Sequence, residues 1–153
     1  MASERAAGLA SRLHEAADRL VGVLESVDAE TWGHVPDPGT WSIGREAEHV
    51  AEAGEYHQWI VRLTIGEKVS TGRPVLERLA LTAGQTAGEV VAMIRARTDE
   101  GARLLGSLSD GQLDLPTRPP RANGQRLAET IERVLIGHYD VHRLDIERKF
   151  TGS

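Results

Sequence analysis

The sequence predicts an all-α protein, a four-helix bundle. Four stretches repeat apolar residues at spacings of three and four, loops bearing proline and glycine separate them, and no stretch alternates as a half-buried strand does. The first helix is expected from about Ser3 to Val27, with Leu9, Leu13, Ala16, Leu20, Leu24 and Val27 as its buried stripe. Asp28 to Thr40 reads as a loop closed by Pro36, Pro38 and Gly39. Ser42 offers an N-cap for a second helix reaching about Thr64, whose stripe is His49, Ala53, Tyr56, Ile60 and Leu63.

Gly66 to Gln85 is a longer connection, with Gly72 and Pro74 as breakers and a short helix expected over 75–81. Thr86-Ala87-Gly88-Glu89 has the form of a capping box and opens the third helix, buried through Val90, Ile94, Leu104, Leu105 and Leu108. Gly101 interrupts it, at a mild cost in propensity that fits a close helix approach. A second loop, Ser109 to Gly124, carries Pro116, Pro119 and Pro120. The last helix is expected from about Gln125 to Phe150, with Leu127, Ile131, Leu135, His138, His142 and Ile146 on one face. Leu24-Glu25-Ser26-Val27 and Leu105-Gly106-Ser107-Leu108, each just before a loop, echo one another and suggest two similar helix pairs.

Composition narrows the function. The length of 153 residues suits one domain with a single core. Eighteen basic against 23 acidic side chains give −5, mixed along the chain. No Lys/Arg cluster exists to neutralise phosphates or an anionic membrane surface, so neither nucleic acid nor membrane is expected as a partner. With no cysteine, disulfides, iron–sulfur clusters, thiolate zinc sites and a cysteine nucleophile are excluded. Any thiol chemistry needs a thiol from outside. The N-terminus leads into an amphipathic helix and no run is apolar enough to span a bilayer, so the expected location is the cytoplasm.

Three histidines carry the functional signal. His138 and His142 stand at i and i+4, which places both on one helix face where they can grip one ion. His49 lies in the stripe of the second helix and can complete a His₃ set, which leaves coordination positions open as catalytic metal sites do. An i,i+4 pair alone is a weak motif, and no Glu follows His138 as it would in a zincin. Three imidazoles suit zinc, nickel, iron or copper alike.

At Trp41 the chain begins to resemble a known family. Trp41-Ser42-Ile43-Gly44-Arg45-Glu46-Ala47-Glu48-His49 is similar to the opening of helix two in the DinB/YfiT-like superfamily, with a metal-binding histidine eight residues after the Trp. His138-x-x-x-His142 resembles that family's second and third ligands. The resemblance implies an up-down-down-up four-helix bundle, with a divalent metal, zinc or nickel, on His49, His138 and His142. It also implies a small-molecule substrate and, frequently, a homodimer. Members include thiol S-transferases using bacillithiol or mycothiol, a mycothiol-dependent maleylpyruvate isomerase, and the DinB-like domain of sulfoxide synthases. The isomerase branch carries Glu where this chain has His138, which argues against isomerase activity.

Other residues have two readings each. Asp145, on the ligand face, either orients a ligand imidazole or pairs with Arg148. Tyr56 either overhangs the pocket or packs in the core, and Arg97 either holds a substrate carboxylate or snorkels to the surface. His57, turned about 80° from His49, is expected on the helix surface. His14 and His34 have no partner in view, Trp41 is expected to anchor the head of its helix, and Trp32 and Trp59 to pack. Glu129 and Arg133 read as a solvated i,i+4 pair. Two functional classes follow: a metal-dependent enzyme, either a transferase of mycothiol or bacillithiol or a hydrolase, and a non-catalytic metal- or ligand-binding bundle with a stress-response or sensing role.

Overall fold

A computed structural model describes residues 3–69, 80–121 and 124–151. Within them the elements are α1 (Glu4–Glu25), α2 (Ala29–Gly33), α3 (Ile43–Thr64), α4 (Ala87–Gly106), α5 (Asp110–Leu113), α6 (Leu127–Thr130) and α7 (Gly137–Thr151). The π-helical segment Ile131–Ile136 joins α6 to α7. No β-strand is present among the described residues, only an isolated bridge between Pro116 and Arg126. No described helix is long and apolar enough to cross a membrane.

The caps foreseen in the sequence are made. Ser42 accepts from the backbone N–H of Arg45, and Thr86 and Glu89 complete a reciprocal capping box; Ser3 adds a further cap, accepting from Ala6. The echo between the two halves is also real. Ser26 and Ser107 each donate a hydroxyl to the carbonyl three residues back, at 2.7 Å, and each precedes a short helix capped by Asp28 or Ser109. The sequence reading had placed both short helices inside loops. The helix expected over 75–81 lies outside the described residues, except for Ala80 and Leu81, which are not helical.

Cross-helix contacts set the direction of each long helix. His14 faces Asp99 while Arg95 faces Asp18 and Glu25, so α1 and α4 run antiparallel. Arg12 meets Glu132 and Arg19 meets Asp140, so α1 and α7 run the same way. Gly54 and Gln58 both lie against Arg97 and Gln58 reaches on to Gly101, which makes α3 parallel to α4. The bundle is therefore up-down-down-up, as the resemblance implied. Each long helix packs on two others in the ring α1–α4–α3–α7. Gly101 is buried with a Leu13 methyl 3.1 Å from where a Cβ would stand, so its gap in helix propensity admits α1.

The last long helix keeps the apolar part of its expected stripe: Leu127, Ile131, Leu135 and Ile146 are buried, and Ile136 at the end of a π turn and Tyr139 beyond it join them in the core. His138 and His142 are left half-buried at the core's edge. Tyr139 bonds its hydroxyl to Thr98 at 3.1 Å. The stripe that continues through His138 and His142 carries Asp145 and Lys149, and it faces the head of α3.

Candidate metal centre

The antiparallel α3–α7 seam brings His49, His138 and His142 together. Their potential ligand nitrogens all lie within 4.8 Å of one another. Ring centroids stand 5.2 Å apart for His49–His138, 5.1 Å for His49–His142 and 4.4 Å for His138–His142, all steeply inclined. Burial, reinforced by its histidine neighbours and by Arg121, pushes His138 down to about 2, so its lone pair is available at neutral pH. The donor set fits a divalent ion with positions left open, as three neutral imidazoles do in catalytic centres.

His57 overturns its reading as a surface residue. It is 6 % exposed, and its ring lies 4.8 Å from that of His138 at 85°. Burial first, then Arg121 and the other histidines, lower it to about 3. The reason is the environment of α3, which buries 16 of its 22 residues and so has no broad solvent face for His57 to occupy. His57 stands behind the cluster, against Gln58, Tyr139 and Leu135.

The carboxylate on the ligands is Glu46, not Asp145. Glu46, 2 % exposed, sits one helical turn before His49 on the same face. Its Oε1 lies 2.8 Å from His142 Nδ1, and its Oε2 accepts from Lys149 Nζ at 2.6 Å. Burial opposes the Glu46 charge, but the hydrogen bonds from His142 and Lys149 outweigh it and keep the carboxyl below its ordinary range. Asp145 takes its other reading, pairing with Arg148 at 2.9 Å and standing 3.7 Å from Lys149. Burial and the adjoining Glu46 raise its carboxyl.

Trp41 does more than anchor a helix. Its indole lies 5.0 Å from the His49 ring, and the Arg45 guanidinium sits 5.1 Å from the Trp41 ring centroid. Arg45, buried, reaches Glu48 and Glu52 at 3.4 Å. Glu48 in turn accepts the backbone N–H groups of Gly84 and Gln85 at 2.9 and 3.0 Å, tying the central connection to α3. None of Arg45, Glu46, Glu48 or Lys149 stood out in the sequence. Spacing was the available signal for two of them: Glu46 is three residues before His49, and Lys149 seven after His142.

An open cavity of about 840 Å³ adjoins the cluster, between the loop 36–41 and the end of α7. Trp41, Glu46, His142, Asp145 and Lys149 line it, with Arg148 at its rim. Its size falls in the range of small-molecule sites. Tyr56 packs in the core and stacks on half-buried Trp59, with ring centroids 6.0 Å apart. Arg97 pairs with Glu100 at the surface, Trp32 is buried, His14 faces Asp99 on the outside, and His34 is exposed.

A family model described as the DinB superfamily matches residues 12–146. The chain belongs to the DinB superfamily. Nothing matches it among curated proteins or among solved structures. The DinB match spans both histidine segments, Trp41 to His49 and His138 to His142, and Glu46 with them; Lys149 lies just beyond it.

Proposed function

We propose that this DinB protein holds one divalent cation on His49, His138 and His142 and is a thiol S-transferase. It joins a low-molecular-weight thiol, mycothiol or bacillithiol, to an electrophilic small molecule. The observation that carries the reading is the juxtaposition of three inward imidazoles with an open cavity of which His142 is a wall. A dication held there would lower the pKa of an incoming thiol and supply a nucleophile at neutral pH. The chain has no cysteine, so the thiol comes from solution.

The protein's own residues bind and exclude. His138, kept neutral by burial, and His142, turned by Glu46, present lone pairs toward one point. Trp41 covers His49 on the cavity side, and the buried His57 and Tyr139 fill the space behind His138. The cavity wall mixes apolar surface (Trp41, Pro36) with charges of both signs, the Lys149 and Arg148 cations and the carboxylates of Asp37, Glu46 and Asp145, which suits a polar organic electrophile.

Metal content by mass spectrometry, on protein purified without chelator or polyhistidine tag, tests the first half. About one ion per chain, lost on His138→Ala/His142→Ala, is the expected result. Consumption of monobromobimane or chlorodinitrobenzene with each thiol tests the second half. Metal-dependent turnover above the uncatalysed rate is expected; a loaded protein without turnover across both thiols leaves a metal-binding bundle.

A further inference from the structure

Glu46 is buried and Lys149 partly buried beside the open cavity, and their ion pair touches the cluster at one ligand. A carboxylate can only accept, so at 2.8 Å His142 Nδ1 is the donor, and the ring presents Nε2 to the cluster. The second carboxylate oxygen is taken by Lys149, which also donates to the carbonyl of Trp41 at 3.0 Å. Lys149 thus fastens the end of α7 to the head of α3. The same ammonium fixes the residue whose indole lies against His49.

We infer that Glu46 and Lys149 are positioning residues for the metal. Glu46 locks the His142 tautomer and rotamer and makes its Nε2 a stronger donor, while Lys149 holds Glu46 as the carboxylate that does so. His142 is thereby held in place before metal arrives. Carboxylate–histidine–metal arrangements of this kind change affinity by about 10- to 100-fold when the outer carboxylate is altered. The inference rests on the His₃ reading and sharpens it.

The test is zinc affinity by chelator competition, and the visible spectrum of the cobalt-loaded protein, for wild type, Glu46→Gln, Lys149→Met and Lys149→Arg. Glu46→Gln should lose about 10- to 100-fold in zinc affinity and shift the cobalt bands while keeping their number and intensity class. Lys149→Met should fall between it and wild type, and Lys149→Arg should recover much of the loss. Should Glu46→Gln fail to fold, Glu46→Asp, which keeps the charge and withdraws it by one methylene, is read the same way. A purely structural Glu46 would lower the melting point of the metal-free protein and leave zinc affinity within about twofold of wild type; that result overturns the inference and leaves the His₃ reading standing. A wild type that takes up no zinc or cobalt removes both together.

Discussion

The seam between α1 and α4 and the seam between α3 and α7 use burial for opposite purposes. Every residue that α1 buries is apolar, from Ala6 through Leu13, Leu20 and Leu24. Charges on that side stay at the rim, as in Arg95–Asp18 and Arg95–Glu25. Across the bundle, α3 buries Arg45, Glu46, Glu48, His49, His57 and Gln58, and its partners answer with His138, His142 and Lys149. Burying charges is costly unless each is paired and hydrogen-bonded, and here each carboxylate oxygen of Glu46 and Glu48 has a cation, an imidazole or a backbone N–H. The first seam is closed by apolar packing; the second gathers paired charges around three imidazoles.

Breaking the second seam at its centre should give the largest effect. His138→Ala/His142→Ala is expected to abolish stoichiometric zinc binding while circular dichroism still reports the bundle. Unfolding of that variant would instead make the imidazoles part of the scaffold and erase the contrast. Breaking the first seam should do the reverse. Leu20→Ala, at a fully buried site, should cost about 2–5 kcal/mol in denaturant unfolding, with zinc affinity of the folded fraction unchanged.

Glu48→Gln tests the support of the second seam. It removes a charge that accepts two backbone N–H groups and is expected to cost about 1–3 kcal/mol. Acid sharpens the comparison further. Folding lowers His57 to about 3 and His138 to about 2, whereas both titrate near 6.5 in the unfolded chain. Between those limits the unfolded state binds more protons, so stability is full above about pH 6.5 and declines as the pH falls toward about 3. The melting point of chelator-treated protein should follow that course, and His57→Asn should flatten it. Arg95→Ala, which breaks exposed rim pairs of the first seam with Asp18 and Glu25, should move stability by about 0.5 kcal/mol or less.

The helices and their caps were legible because the signals are local. Ser42, and Thr86 with Glu89, cap where the periodicity begins, and Val90, Ile94, Leu104 and Leu105 bury as their spacing requires. The clustering of His49, His138 and His142 was legible for a related reason: i,i+4 spacing sets the direction of His138 and His142 whatever else the helix touches, and the Trp41-to-His49 segment carries the family resemblance. His57 was misplaced because the stripe argument assumes a helix with one wet face, and α3 is enclosed nearly all round. The choice between Asp145 and Glu46 could not be made along one helix either, since it depends on what the antiparallel neighbour presents.

By itself, then, the sequence determined what repeats with the helical period: an all-α bundle, its helix starts, its apolar seams and the faces on which three histidines lie. Only the tertiary structure decided which buried charges meet across those faces. Across the π turn at Ile131–Ile136 the core also took in Ile136 and Tyr139, and the packing of α3 among its neighbours put Glu46 on His142, Lys149 on Glu46 and His57 behind His138. Those pairings join residues about a hundred positions apart and depend on two helices' relative depth and rotation, which no local spacing encodes.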